Sequence, residues 1–376
     1  MYTDLKKAFD RVPHKRLLRK LKRYNLHPDL IDWIKAFLSD RKQRVHLNGI
    51  YSSWASVLSG IPQGSILGPL LFIIYINDLP DSLNVDSNIF LYADDAKLYR
   101  HISTSQDSSS LQDDINKLAN WTNEWLIKLN IKKCKVVSYG RNVDHSYSYH
   151  INNVELEKLD SIIDLGVHFD SQLKFDDHMD EKINKAYSFL GIIKRNFTYL
   201  SMDAFITLYK SLVRPHLEYA VQAWSPYLIA YIKKIEKVQM RATKQITCIK
   251  HLSYEERLKY LRLPTLHYRR IRGDMIMVFK TVTGIIDSTV SCNFTTSHSV
   301  TRGNRYKLVQ KHVHYNLTKF SFANRIVPIW NSLPDYVVSA HSVSVFEKRL
   351  DSFWINQDCV YNWKADVTGI GNRSLV

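Results

Sequence analysis

The tetrapeptide Tyr92-Ala93-Asp94-Asp95 lies between two short apolar runs, Ile89-Phe90-Leu91 and Ala96-Lys97-Leu98-Tyr99. This pattern reads as strand, tight turn, strand, with adjacent carboxylates at the turn. Neighbouring acids at a strand end resist joint ionisation and are costly to bury. A divalent cation removes that cost, and Mg²⁺ takes carboxylate oxygen. A solvated Asp-Asp hairpin fits the four residues alone equally well, because Asp is a common turn residue. The rest of the chain separates the two readings.

Charge is the first discriminator. The chain has 376 residues, a formal net charge of +16 and 45% hydrophobic residues, enough for two or three cored domains. Residues 1–50 carry 13 Lys/Arg against 5 Asp/Glu, and residues 182–280 carry 19 against 6. Residues 51–130 reverse the balance, 4 against 9. Basic regions flanking an acidic stretch point to a polyanion held near a metal site. Lysines that merely solubilise helix faces account for part of the excess, but not for acids gathered around residues 78–95. Cys134, Cys248, Cys292 and Cys359 are far apart, with no zinc spacing, and suit free thiols in a reducing compartment. His312-Val313-His314 has no companion ligands and reads as surface. There is no signal peptide and no apolar run of membrane-spanning length, so no membrane partner is expected.

The periodicities sketch the elements. Tyr2-Thr3-Asp4-Leu5 reads as a strand end. A helix follows Pro13, with Leu17, Leu18 and Leu21 inward and Arg16, Arg19, Lys20, Lys22 and Arg23 outward. Pro28 opens a second helix bearing Ile31, Ile34, Phe37 and Leu38 on one face. Asn48-Gly49 between Arg44–Leu47 and Ile50-Tyr51 predicts a type I′ hairpin. Gly60–Ser65 is a loop feeding an apolar helix, Leu67 to Ile76. Leu111, Ile115, Leu118, Trp121 and Trp125 mark an amphipathic helix. Lys135–Tyr139 is a strand, and a hairpin turns at Asn152-Asn153. Helices are expected at Asp176–Arg195, Asp203–Val213, Tyr231–Lys250, Tyr268–Thr281 and Val343–Phe353, with a polar loop or linker over 287–306.

Asp4 completes the metal hypothesis. A strand ending in Asp beside a hairpin tipped by Asp94 and Asp95 would put three carboxylates around one point, where two Mg²⁺ ions about 3.5–4 Å apart could share them. Asp4-Leu5-Lys6-Lys7-Ala8-Phe9-Asp10, Gly60-Ile61-Pro62-Gln63-Gly64-Ser65-Ile66-Leu67-Gly68-Pro69 and Tyr92-Ala93-Asp94-Asp95 resemble, in order and spacing, polymerase motifs A, B and C of the reverse transcriptases of non-LTR (LINE-type, jockey-like) retrotransposons. Leu129-Asn130-Ile131-Lys132-Lys133 resembles motif D, and Asp164-Leu165-Gly166-Val167, followed by Leu173 and His178, resembles the primer-grip region. Leu212–Ala220 and Trp330–Pro334 resemble thumb and tail segments.

The resemblance implies an α+β polymerase palm, an antiparallel sheet with packed helices, over 1–170. A basic helical thumb over 171–285 and a linker with a mixed C-terminal region over 286–376 would follow. It implies RNA-directed DNA polymerase chemistry: transfer of dNTPs onto a primer 3′-OH, with an RNA template, a DNA primer and two Mg²⁺ ions, or Mn²⁺ in their place. Asp4 and Asp94 would be the principal metal ligands, with Asp95 flanking and the Leu5 carbonyl completing one shell. Phe9 would exclude a 2′-OH as a steric gate; without the motif it reads as a core aromatic. Gln63 and Gly64 would line the nucleotide pocket, or form an ordinary Pro-Gly loop. Lys133 would protonate pyrophosphate, or be a solvated surface lysine. Asp10 reads as structural, and Asp78 as terminating its helix. Lys194, Arg195, Lys233, Lys234, Lys237, Arg241 and Lys244 are candidate phosphate contacts. The expected location is intracellular, cytoplasm and nucleus, as a ribonucleoprotein; the oligomeric state is open.

Met1 stands three residues before Asp4, so an N-terminally truncated chain is expected, without the fingers and the upstream endonuclease such elements carry. The competing reading is a non-catalytic nucleic-acid-binding remnant. A viral RNA-directed RNA polymerase fits less well, because Ala93 and Phe9 stand where those enzymes usually carry Gly and a polar group. A group II intron maturase shares the palm but not the jockey-like tail.

Overall fold

The computed structural model describes residues 1–140, 143–144, 146–197, 201–287, 289–292, 294–297 and 304–369. It divides into two compact units, Met1–Ile162 and Ile163–Val376.

The first unit is built on a mixed sheet. Its strands are β1 (Tyr2–Thr3), β2 (Lys42–Gln43), β3 (His46–Leu47), β4 (Ile50–Tyr51), β5 (Ala55–Ser56), β6 (Asn88–Tyr92), β7 (Asp95–Tyr99), β8 (Lys135–Val136), β9 (His150–Ile151), β10 (Val154–Glu155) and β11 (Glu157–Lys158). Five of them form one sheet in the order β11-β8-β1-β7-β6, with β1 at its centre and antiparallel to both neighbours. The β8 strand stops at Val136, short of the expected Tyr139; its ladder partners are Tyr2 of β1 and Glu157 and Lys158 of β11. Along β7, Ala96 and Leu98 are buried while Asp95 and Tyr99 are exposed, the alternation of a sheet packed on one face.

Among the described residues the unit has five α-helices: α1 (Ala8–Arg11), α2 (His14–Arg23), α3 (Pro28–Leu38), α4 (Leu67–Ile76) and α5 (Ser105–Glu124). Pro28 opens α3 at its first turn, and Thr104 and Asp107 close a reciprocal capping box at the start of α5. The α5 helix serves two cores. Leu111, Ile115 and Ala119 pack with Leu98 and Val136 of the sheet, whereas Leu118 and Trp121 pack with Leu17, Leu21, Phe72 and Tyr75 of α2 and α4.

Lys20 departs from the expectation of an outward position. It is 2% exposed, and its ammonium donates to the Tyr75 carbonyl and to Asp78 Oδ1, each at 2.5 Å. The same ammonium lies 3.7 Å from the Trp125 ring centroid and 4.7 Å from that of Trp121. Burial pushes its pKa down, and Asp78 opposes that shift. Asp78 therefore serves as the counter-ion of Lys20, while the residue that ends α4 is Asn77.

At the boundary of the units, β12 (Ser161–Asp164) pairs with β13 (Val167–Asp170); the second unit continues with α6 (Asp176–Asn196), α7 (Met202–Leu208), α8 (Arg214–Glu218), α9 (Val221–Trp224), α10 (Ile229–Thr243), α11 (Tyr254–Leu261) and α12 (Leu266–Val282). The expected helix Asp203–Val213 changes character at Tyr209, where a π-turn runs to Val213. Pro215 has no N–H and its ring collides with the carbonyl four residues back, so the preceding turn widens. Beyond α12 come α13 (Asn316–Lys319), α14 (Phe322–Arg325), α15 (Val327–Asn331), α16 (Asp335–Val338) and α17 (Val343–Phe353), around a core of Trp330, Phe346, Leu350 and Trp354. Part of the expected linker, residues 288, 293 and 298–303, lies outside the described residues. No described helix is long and apolar enough to cross a membrane.

Candidate active site

The acids gather at one end of the central sheet. Strands β6 and β7 close on Tyr92↔Asp95, so Ala93 and Asp94 make the two-residue turn, with Ala93 held at φ +52°. The β1–β7 register, Tyr2↔Lys97 and Thr3↔Ala96, carried one residue further sets Asp4 across from Asp95. The Thr3 hydroxyl donates to the Ala96 carbonyl at 2.8 Å and pins that register. Asp4 and Asp94 are half-buried and Asp95 is exposed.

Asp4 is held from its other side as well. Its carbonyl accepts from the Asn130 amide at 2.8 Å, and Leu5 bridges Leu129. The Leu5 side chain is buried in the helical core. The turn Ile131–Lys133 then brings the Lys133 ammonium to 3.8 Å from Asp4 Oδ1. The lysine side chain is 68% exposed, so the pair is solvent-screened and contributes little to stability.

Motif B is fastened to motif A. The Ile61 amide donates to the Phe9 carbonyl at 2.8 Å, the Gly60 amide to the Val12 carbonyl at 2.9 Å, and the Ser59 hydroxyl to the Asp10 carbonyl at 3.0 Å. The Gln63 side-chain amide donates to Asp10 Oδ1 at 2.9 Å. Gly60 sits at φ +91°, where a Cβ would stand 2.6 Å from the Asp10 carbonyl oxygen. Gly64, at φ +80°, has open space where its side chain would be, so its requirement is conformational. The Phe9 ring is half-buried and stacks on Phe72, with centroids 4.3 Å apart. Asp10, expected to be structural, is the acceptor that orients Gln63.

The basic candidates belong to the second unit. Lys233, Lys237, Arg241 and Lys244 are exposed and recur at helical spacing, a single stripe along α10 and its C-cap. Lys234 departs from them: it pairs with Asp180 at 3.0 Å and lies over the Tyr231 ring. Lys194 and Arg195 are exposed in the last turn of α6. His178 is buried at the start of α6, where its Nδ1 accepts from the His168 amide at 3.2 Å. Burial drives its pKa down to about 4.

The donor set suits a hard cation in kind, since all three candidates are carboxylates. Among the described residues, no three His, Cys, Asp or Glu side chains stand close enough together to hold a metal ion. Asp4, Asp94 and Asp95 therefore do not form the three-carboxylate cluster around one point that the motifs lead one to expect; Mg²⁺ is ordinarily held by only one or two carboxylates, together with water and substrate phosphates.

Residues 1–202 match the family model described as reverse transcriptase (RNA-dependent DNA polymerase). The chain is 30% identical over 260 residues to the "RNA-directed DNA polymerase from mobile element jockey" of Drosophila melanogaster, covering 65% of this chain and 28% of that protein. It is 31% identical over 259 residues to the protein of the same description from Drosophila funebris, covering 65% and 28%. It is 29% identical over 258 residues to the "Probable RNA-directed DNA polymerase from transposon X-element" of Drosophila melanogaster, covering 66% and 28%. The chain thus spans less than a third of the length of these relatives. With more than half of its residues matching the family model, the chain belongs to the reverse transcriptase family, and it is similar to jockey-like, non-LTR members of it.

Proposed function

We propose that this chain is the catalytic part of an RNA-directed DNA polymerase that adds dNTPs to a primer 3′-OH on an RNA template. The observation that carries the reading is the β1–β7 register, which sets the motif A acid beside the motif C acids. The sheet of the first unit is then a polymerase palm, and the stripe on α10 is a thumb surface that meets template–primer phosphates without reading sequence.

Asp4 and Asp94, with Asp95 beside them, would hold Mg²⁺, or Mn²⁺ in its place. Bound there, the ions would lower the pKa of the attacking hydroxyl and stabilise the leaving pyrophosphate. The remaining roles belong to the chain's own groups. Lys133, already beside Asp4, has the reach to bring a proton or a positive charge to a leaving phosphate. The Phe9 ring, fixed against Phe72, presents a flat apolar edge where a 2′-OH would have to fit. Gln63, oriented by Asp10, and the bare backbone at Gly64 form a surface on which a nucleotide can lie.

Primer extension on poly(rA)/oligo(dT) with Mg²⁺ tests the proposal. The wild-type chain should extend the primer, and Asp94→Asn should lose extension while keeping its affinity for the hybrid. Binding without extension by wild type and Asp94→Asn alike would favour the non-catalytic remnant.

A further inference from the structure

Residues 41–58 leave the first unit as a two-stranded arm. The β2 and β5 strands pair at its base (Lys42↔Ser56), β3 and β4 at its tip (Leu47↔Ile50), and Asn48-Gly49, both at positive φ, make the turn. Every residue from Arg41 to Ser56 is exposed. An isolated two-stranded ribbon is marginally stable in water, yet this one displays Tyr51 and Trp54 at 52% and 60% exposure.

Those rings are ordered. The Arg44 guanidinium lies 3.9 Å from the Tyr51 centroid and 4.5 Å from that of Trp54, and His46 stacks on Tyr51 at 4.2 Å and 17°. One flank of the ribbon is therefore a ladder of flat faces with a guanidinium between two of them. Arg41 and Lys42 add charge at its base, and from residue 41 to residue 77 the sequence has no Asp or Glu. A partner for this surface needs negative charge at close intervals and planar apolar groups between the charges. Single-stranded nucleic acid has both, and its bases stack on exposed aromatics whatever their sequence.

We infer that the Arg41–Leu58 arm is a docking surface for single-stranded RNA, with Arg44, Tyr51 and Trp54 as its stacking platform. The arm leads along the chain into the Gly60–Ser65 loop that carries the motif B residues. The inference deepens the polymerase reading by naming a surface for the template strand; its test needs neither metal nor dNTP and stands apart from catalysis.

The experiment is fluorescence anisotropy of the full chain with a labelled 12-nucleotide single-stranded RNA. Tyr51→Ala and Trp54→Ala should each weaken binding about tenfold, the usual scale for loss of one base–aromatic stack. Trp54→Phe should keep most of the affinity, and affinity for a blunt RNA duplex should be unchanged throughout. Asp94→Asn should bind the single strand like wild type, so a failure of the catalytic reading leaves this result intact. These side chains are exposed, and matching thermal melts confirm the variants' fold. Unchanged single-strand affinity in both Ala variants would overturn the inference. So would self-association of the wild type, seen by sedimentation, that the Ala variants abolish while RNA affinity holds, because the arm would then be a protein contact.

Discussion

A lysine shows how a residue's role follows from its register. Lys20 shares a face with Leu17 and Leu21, at the i, i+3 and i+4 positions of α2, so its burial was present in the periodicity; its charge made an outward placement look natural. What made burial possible, the ring walls of Trp121 and Trp125 and the carboxylate of Asp78, comes from distant segments that periodicity does not connect. Removing one partner of such a pair is asymmetric. Asp78→Asn strands a cation that is 2% exposed and should cost about 3 kcal/mol in urea unfolding. Lys20→Met leaves an acid that is 30% exposed and can rehydrate, so its cost should be clearly smaller. Equal costs would contradict this asymmetry of burial. Phe9 is the second test at this scale. Phe9→Val should relax ribonucleotide rejection in primer extension, at a modest cost in stability from the lost stack on Phe72; unaltered discrimination would leave Phe9 as a packing residue on Phe72 only.

Elements were legible where their boundaries carry strong local chemistry. The Asn48-Gly49 and Asn152-Asn153 turns, Pro28 at the start of α3 and the α17 boundaries were read from the residues and are present. The expected helix Tyr231–Lys250 ends at Thr243, ahead of the β-branched residues Ile246, Thr247 and Ile249. The α11 helix was not foreseen although its capping box, Ser253 with Glu256, was in the sequence, because eight residues give too little periodicity to stand out. The loop joining motifs A and B makes a prediction of its own. Gly60→Ala drives a Cβ into the Asp10 carbonyl and strains a positive φ, so it should destabilise the first unit by about 2 kcal/mol or more and lower extension. A silent Gly60→Ala would show that the loop is not tied to motif A. In α6, the low pKa of buried His178 makes stability pH-dependent. Its desolvation is the main cause, with Lys182 and His168 acting in the same direction and Glu181 against it. The unfolded state takes up the proton near pH 6.5 and the folded state near 4, so the contribution is complete above 6.5 and is lost as pH falls through that window. Urea midpoints should drop between pH 7 and 5, and His178→Asn should flatten that slope; an identical slope would place the proton elsewhere.

At the scale of the whole molecule, charge and motif order carried more than composition did. The acidic stretch proved to hold the hairpin at the end of the central sheet, and the basic excess in residues 182–280 includes the stripe on α10. The sequence could name Asp4 and Asp94 but not their spatial relation, which depends on β1 taking the middle of the sheet with its register set by Thr3 and Ala96. Nor could it show that Gln63 is oriented by Asp10, a contact between residues 53 positions apart. The central claim is that acids from these two motifs work as one site. Primer extension rates for Asp4→Asn, Asp94→Asn and the double variant measure that directly. Groups acting as a unit are strongly non-additive, so each single change should abolish nearly all extension and the double change should cost no more than either alone. Losses that multiply, or a single variant that extends like wild type, would contradict the account.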